Sequence, residues 1–331
     1  NTYIGYNSGL GASGQSNSNN VGVGSNALLA VTTGGSNVAI GNSALTANTT
    51  GIQNVAIGGY YNASYVGAMG ANTVGSECVA IGTAALQTAN ENDNDGTIAI
   101  GWGACRVQAG TGGAQFANAT IAIGHKALTA LTTGASNTAV GYNAGLSITT
   151  GGENTILGHL AGDAIGIGNS NTLVGQASGG ALADGDNNIA IGASALASDT
   201  DGGGTVAVGT AALGYQNITT EGLSYNTGLG HQAGNNNLTG TNNTWVGYRA
   251  GYGATNQSNS QNTGVGSSVM GAITTGSGNV AVGYGTMDDT DDGANNVAIG
   301  NGALSANCGD GSAVIGQGAG AAYTGDQLVA I

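Results

Sequence analysis

The side chains with the clearest capacity for chemistry are three histidines, each of which follows a glycine at the same point of a short motif. His125, His159 and His231 come directly after Ile-Gly or Leu-Gly, a position that Trp102 and Tyr142 occupy elsewhere. Aromatic rings and imidazoles can stack on sugars, and imidazole also binds metal ions. If the motif belongs to stacked coils, His125, Tyr142 and His159 share one column, which predicts a ladder of rings. The simpler alternative is an ordinary surface or subunit-contact column, and metal binding is disfavoured because Tyr142 would separate the imidazoles.

The acidic residues offer a second kind of chemistry, because carboxylate oxygens are ligands for calcium. In the densest cluster, Glu91, Asp93 and Asp95 precede Gly96 like the start of an EF-hand loop, but Trp102 stands where the closing acid would be. The pattern therefore predicts at most a weak calcium site at these three acids, and no other cofactor. The alternative is a solvated acidic edge that keeps the protein soluble.

Signatures of catalysis are absent or weak. Residues 9–14 read G-x-G-x-x-G, but such matches arise by chance in a chain that is one-fifth glycine, and no helix is predicted to follow. No G-x-S-x-G elbow with partner residues is recognisable. Cys78, Cys105 and Cys308 are odd in number and far apart, so they are interpreted as small residues substituting in a repeat. We therefore predict that the chain is not an enzyme.

Composition excludes several other classes of protein. The 331 residues include 66 Gly, no Pro and only three Lys or Arg, with a formal net charge of −14. This charge removes the basis for binding nucleic acid. No apolar stretch is long enough for a membrane span. A hydrophobic content of 40% in a regular pattern argues against disorder.

An internal repeat positions the candidate residues. The motif N-V-A-I-G recurs, and counting from its Gly as position 0, position −1 is Ile, Val or Leu in all nineteen copies. Position −3 is Val, Ile or Thr in eighteen copies, position −2 is usually Ala or Gly, and position −4 is Asn in thirteen. The aligned glycines are Gly5, Gly24, Gly41, Gly58, Gly82, Gly101, Gly124, Gly141, Gly158, Gly175, Gly192, Gly209, Gly230, Gly247, Gly266, Gly283, Gly300 and Gly316.

The repeat predicts the local structure of each coil. The alternation before the Gly indicates a short strand. Ala at +3 with Leu or Gly at +4 predicts a second short strand, and a frequent Gly at −7 predicts a corner with positive φ. Ten of the seventeen spacings are 17 residues. We therefore predict an all-β parallel β-solenoid of about 18 coils with a 17-residue repeat.

Organisation and assembly follow from this repeat. Residues 1–331 read as a single repeat array, a fragment of a longer fibre chain. Small residues at many inward positions enclose a thin core, which favours self-association. We expect small residues at −2 or +3, such as Ala139 and Ala190, to let the associated chains approach closely.

The motif Asn37-Val38-Ala39-Ile40-Gly41-Asn42-Ser43-Ala44-Leu45 resembles the head repeats of YadA-like trimeric autotransporter adhesins. The unit from Asn137 to Gly151 is similar to repeat arrays of phage tail-fibre proteins. The resemblance covers essentially the whole chain. It implies a left-handed parallel β-roll, a homotrimer, and surface attachment at an extracellular location, on a virion tail fibre or a bacterial cell surface. The longer coil and the frequent Thr-Thr-Gly corner depart from the adhesin heads.

The favoured hypothesis is a structural and adhesive fibre shaft whose loops contact a host-surface receptor or glycan. One alternative is a purely structural extracellular filament. A glycan-depolymerising tailspike is less favoured because the acids are evenly spread, and an ice-binding solenoid, suggested by Thr138, Thr155 and Thr172, needs a longer Thr face. The candidate receptor or glycan-binding residues are Tyr60, Tyr61, Tyr65, Trp102, Phe116, His125, Tyr142 and His159.

Overall fold

The chain folds as an all-β parallel β-solenoid of about 18 coils with a repeat of about 17 residues. The structure is a computed structural model that describes residues 1–11, 16–62, 64–88, 95–107, 119–219, 222–254 and 257–331. The chain divides into two compact units, Asn1–Ser170 and Asn171–Ile331. Within the described ranges there is no helix, and hence no helical segment that could cross a bilayer. The predicted fold class is confirmed.

The first unit contains one parallel sheet in which each strand pairs with the next along the chain. Equivalent residues lie side by side, as Val38, Ala39 and Ile40 do with Val55, Ala56 and Ile57. The strands are β1 (Thr2–Ile4), β2 (Val21–Val23), β3 (Val38–Ile40), β4 (Val55–Ile57), β5 (Val79–Ile81), β6 (Ile98–Ile100), β7 (Ile121–Ile123), β8 (Thr138–Val140) and β9 (Thr155–Leu157).

The second unit repeats this arrangement and adds a short second pairing at a corner. The strands are β10 (Thr172–Val174), β11 (Ile189–Ile191), β12 (Gly202–Gly203), β13 (Val206–Val208), β14 (Gly222–Leu223), β15 (Thr227–Leu229), β16 (Thr244–Val246), β17 (Thr263–Val265), β18 (Val280–Val282), β19 (Val297–Ile299), β20 (Ala313–Ile315) and β21 (Val329–Ala330). β12 pairs with β14, and the other strands form one parallel ladder in chain order.

Each three-residue strand ends one residue before an aligned Gly, as predicted. Gly41 shows why this position requires glycine. Its φ is +128°, and a Cβ there would lie 2.7 Å from the carbonyl carbon of Gly58 in the next coil. Side chains are excluded both by the backbone conformation and by the close stacking of the coils.

The small residues at −2 point into the core, while the aliphatic residues at −1 and −3 point outward. Ala139 and Ala190 are 0% exposed within their own chain. The prediction that these residues lie between chains is therefore wrong, because the pleat of the strand turns them inward. The −1 column, which is aliphatic in every copy, faces outward instead, and so does the −3 column of mainly Val, Ile and Thr. Members of the −1 column that stay exposed are Ile4, Ile40, Leu157, Ile191, Leu229, Val265, Val282, Ile299, Ile315 and Ile331.

In the core, the sizes of the side chains at −2 and +4 are inversely related, which we call the size exchange. Where −2 is Ala, +4 is commonly Leu, as in the buried pair Ala190 and Leu196. Where −2 is large, +4 is Gly, because the large side chain occupies the same space. The large–Gly pairs are Tyr3 with Gly9, Ile156 with Gly162, Leu173 with Gly179, Trp245 with Gly251 and Val314 with Gly320. The two positions are therefore never both large.

The predicted second strand after the Gly is wrong. Residues from +1 to about +6 form turns in which +2 and +4 take left-handed backbone conformations, as Ser43 (φ 58°) and Leu45 (φ 50°) do. Alternation of right- and left-handed residues curls the chain, so it cannot extend. The turns still stack through backbone hydrogen bonds, for example from Leu28 N to Ala44 O at 3.1 Å.

The predicted positive φ at the −7 glycines is also wrong. At Gly34 the backbone is not left-handed, but a Cβ would lie 2.5 Å from the carbonyl oxygen of Gly51 in the next coil. Glycine is needed at this corner because two backbones approach closely. The left-handed residue of the corner is instead at −5, for example Ser36 with φ 59°.

A column of buried amides at −4 holds successive coils together. Asn37 accepts a hydrogen bond from Asn54 N on Oδ1 at 3.0 Å, and donates from Nδ2 to Gly51 O at 2.9 Å. Its own backbone N donates to Asn20 Oδ1 at 2.9 Å. Each amide therefore forms hydrogen bonds with backbone groups of the following coil, at a site that is buried from water. The sequence showed the repetition of Asn but gave no reason to place it inside.

Candidate functional site

Five rings form a continuous ladder in the first unit, which we call the ring ladder: Tyr65, Trp102, His125, Tyr142 and His159. The centroid distances between successive rings are 4.8, 5.0, 5.1 and 5.3 Å. The last three pairs are nearly parallel, with interplanar angles of 14°, 8° and 16°, whereas Tyr65 is tilted by 43° against Trp102. The predicted stacking of His125, Tyr142 and His159 is confirmed.

The coil register creates this ladder. Trp102, His125, Tyr142 and His159 each follow the glycine that ends a strand, so they repeat at the strand spacing of about 4.8 Å. Tyr65 comes from a loop in the long spacing after Gly58. There, Tyr65 N donates to Asn62 O at 3.0 Å, and the resulting tight bend returns Tyr65 to the ladder.

Two of the three cations in the chain lie against the ring ladder. The Arg106 guanidinium carbon is 5.7 Å from the Tyr65 ring centroid, and Lys126 Nζ is 5.5 Å from the Trp102 centroid. Each such contact contributes about 0.5–1 kcal/mol at an exposed site. In a chain with a net charge of −14, they concentrate positive charge beside the rings. Sequence reasoning had assigned no role to either cation.

The other predicted site residues do not join the ring ladder or lie outside the described residues. Tyr60 and Tyr61 are exposed on the loop that carries Tyr65. Phe116 lies outside the described residues, as do Glu91 and Asp93 of the calcium prediction. Asp95 Oδ1 accepts a hydrogen bond from Ser76 N at 2.7 Å.

Within the described ranges, no three or more His, Cys, Asp or Glu side chains are close enough to hold a metal ion together. Glu91 and Asp93 are not among those residues, so the calcium prediction stays a prediction.

A second cluster lies in the second unit, and of its members the sequence singled out only His231. His231 stacks on Tyr248 at 5.6 Å, and the Arg249 guanidinium carbon lies 5.8 Å from the Tyr248 centroid and 4.5 Å from that of Tyr252. Arg249 Nε also donates to Gln232 Oε1 at 2.9 Å. The signal that could have revealed it is a cation directly after a column ring, as in His125-Lys126 and Tyr248-Arg249.

The buried titratable groups serve the core. Burial raises the pKa of the Cys78 thiol to about 12 and that of Cys105 to about 12, so both stay protonated near neutrality. Asp199 is buried, and loss of solvation raises the pKa of its carboxyl, although it accepts hydrogen bonds from Gln216 Nε2 at 2.6 Å and Ile218 N at 2.9 Å. These groups are enclosed and offer no exposed nucleophile or base.

Comparisons with known proteins identify no relative. No family model, no curated protein and no solved structure matches the chain. The function must therefore be argued from the fold and from the two ring clusters.

Proposed function

We propose that this chain is a structural and adhesive part of an extracellular fibre, on a phage tail or a bacterial surface, without enzymatic activity. In this proposal it assembles as a homotrimer and binds a host-surface receptor or glycan. The observation that carries the proposal is the ring ladder with its two cations.

The geometry of the ring ladder favours a hydroxyl-rich, repeating ligand. The faces of its inner rings cover one another, so the ladder presents ring edges together with the Tyr142 hydroxyl and the imidazole nitrogens. A rigid row of hydrogen-bonding atoms at regular spacing suits a polymer with a regular spacing of hydroxyls, such as a polysaccharide. Because the rings are already held by their neighbours, little side-chain entropy is lost on binding.

The outward aliphatic columns support assembly. Val282 and Ile299 lie side by side at the ends of β18 and β19, and both are exposed in the single chain. Contiguous apolar surface of this kind usually marks a protein interface. A second and third copy of the chain would cover it, and the number three rests on the resemblance to trimeric adhesins.

The assembly can be tested by mass photometry of the purified chain. We expect a trimer, and we expect Val282→Lys combined with Ile299→Lys to dissociate it, because charge is introduced into the apolar face. Asn301→Lys adds a cation at a neighbouring exposed position and serves as the matched control. A monomeric parent protein, or a double variant that stays trimeric, would contradict the proposed interface.

Attachment can be tested on a glycan array with intact parent and variant proteins. Trp102→Ala and Tyr142→Ala interrupt the ring ladder and should reduce binding at least tenfold. Tyr284→Ala is the control, because Tyr284 is 64% exposed at the same repeat position and makes no ring contact among the described residues. If the ladder variants bind as well as the control, the ring ladder is not the attachment site.

A further inference from the structure

The second unit contains a groove of about 300 Å³ on the turn side of four consecutive coils. Its lining residues follow strands β11, β13, β15 and β16, and none of them is acidic. They include Tyr215, Gln232, Asn235 and Tyr252, with Ser194 and Ser198 at one end. A volume of this size accommodates a small ligand or one or two units of a polymer.

The groove combines aromatic walls with a polar floor. Tyr215 is exposed on one side, and Tyr252 is half-buried. Asn235 is 3% exposed, and its Nδ2 donates to Ala211 O at 2.7 Å, which fixes the amide at the floor. Rings beside fixed amides and hydroxyls offer an apolar contact and directional hydrogen bonds, the two features that a sugar ring requires.

Arg249 does not line the groove itself, but it contacts two residues that do and so places a positive charge beside it. The Tyr252 ring lies 4.5 Å from its guanidinium carbon, and Gln232 accepts from its Nε at 2.9 Å. Both partners also line the groove. Because Nε is used by Gln232, the terminal nitrogens are the donors suited to a carboxylate. Every cation of this acidic chain lies against an aromatic ring, so positive charge is confined to the two ring clusters.

We propose that this groove binds a carboxylate-bearing sugar of an acidic polysaccharide. The sugar ring contacts Tyr215 and Tyr252, its hydroxyls bond to Gln232 and Asn235, and its carboxylate pairs with Arg249. The inference rests on the proposed attachment function for the ligand class, but it concerns different residues and adds a charge requirement.

Isothermal titration of the intact chain tests the proposal with four probes: oligomers of galacturonate, of mannuronate and of sialic acid, and a hyaluronan hexasaccharide. We expect at least one to bind and its methyl ester, which has the same rings without the charge, to bind at least tenfold more weakly. Arg249→Gln should lower affinity for the acid at least tenfold and leave the ester unchanged. This substitution suits the backbone, because Gln232 occupies the same repeat position with a φ of 57°, close to 52° at Arg249.

The controls separate this inference from the proposed function. Arg106→Gln removes a cation of the ring ladder and should leave acid binding in the groove unchanged. If no acidic probe binds, or if Arg249→Gln binds the acid as the parent does, the inference is wrong. If glycan binding is lost only in Trp102→Ala, attachment through the ring ladder stands while the groove proposal fails. If Arg249→Gln loses acid binding while Trp102→Ala and Tyr142→Ala bind every glycan as the parent does, the groove proposal stands and attachment through the ring ladder fails.

Discussion

The exchange of size between positions −2 and +4 predicts a strong coupling between Leu173 and Gly179. Leu173→Ala removes a fully buried side chain and should cost about 2–5 kcal/mol. Gly179→Leu should cost about 1–3 kcal/mol by overpacking, since a Cβ alone would lie 2.9 Å from Leu173 Cδ2. The double variant recreates the Ala190 and Leu196 pair of the next coil.

The double variant should therefore be within about 1.5 kcal/mol of the parent protein, because core volume is conserved. The backbone tolerates the exchange, since Leu196 has a φ of 51° where Gly179 has 57°. The losses of unfolding free energy in the two single variants add to more than the loss in the double variant. The difference, which is the coupling free energy, should be at least about 1.5 kcal/mol.

Guanidinium unfolding of the four proteins measures these differences. Hydrogen exchange of peptides that contain β10 and β11 shows whether the loss is local, because neighbouring coils of a solenoid can open separately. Additive costs, with the double variant as unstable as the sum of the single variants, would refute the volume exchange.

Two further predictions concern the buried polar groups. Asn37→Ala leaves Asn54 N without its acceptor and removes one of the two side-chain donors to Gly51 O, which keeps its hydrogen bond from Asn48 Nδ2 at 3.0 Å. It should lower the free energy of unfolding by about 1–3 kcal/mol in chemical denaturation, and an unchanged value would contradict the role of the column. The pKa of Asp199 is raised in the folded state, so its stabilising contribution is present below the ordinary value of 3.8 and is lost as pH rises through the raised pKa. Asp199→Asn should flatten this part of the profile of melting temperature against pH, whereas parallel profiles for both proteins would show that another group is responsible.

The strand of each coil was predictable because two local signals coincide. β-branched residues alternate with small ones over three positions, and a glycine follows at once, as in Val38 to Gly41. The turns were not predictable in the same way. Leu45 adopts a left-handed conformation that its residue type disfavours, and stacked backbone hydrogen bonds between coils hold that region in place. A rule based on residue type alone assigns such a segment to a strand.

The candidate site likewise contains residues whose positions the repeat predicts and residues whose positions it does not predict. His125, Tyr142 and His159 were predictable as a ladder, since only the repeat spacing was needed. The position of Tyr65 depends on the path of a loop with irregular length, which no period describes. The Arg249 cluster requires a side chain at +2 to reach a ring at +5, and that proximity arises from the curl of the turn.

The columns of the solenoid differ in how much variation they admit, and this difference argues for recognition at +1 and +2. A side chain at position 0 would collide with the next coil, and the buried side chains at −2 and +4 limit each other's size, so core packing restricts these columns. Most side chains at +1 and +2 are exposed or half-buried, so core packing does not dictate the rings and cations found there. Their occupants are nevertheless concentrated: two of the three cations, Lys126 and Arg249, stand at +2 beside a ring at +1, and rings at +1 adjoin one another over three steps of the ladder. A ligand-binding surface requires rings and cations to be clustered at positions that core packing does not restrict. The stacking of coils alone would not cluster them there.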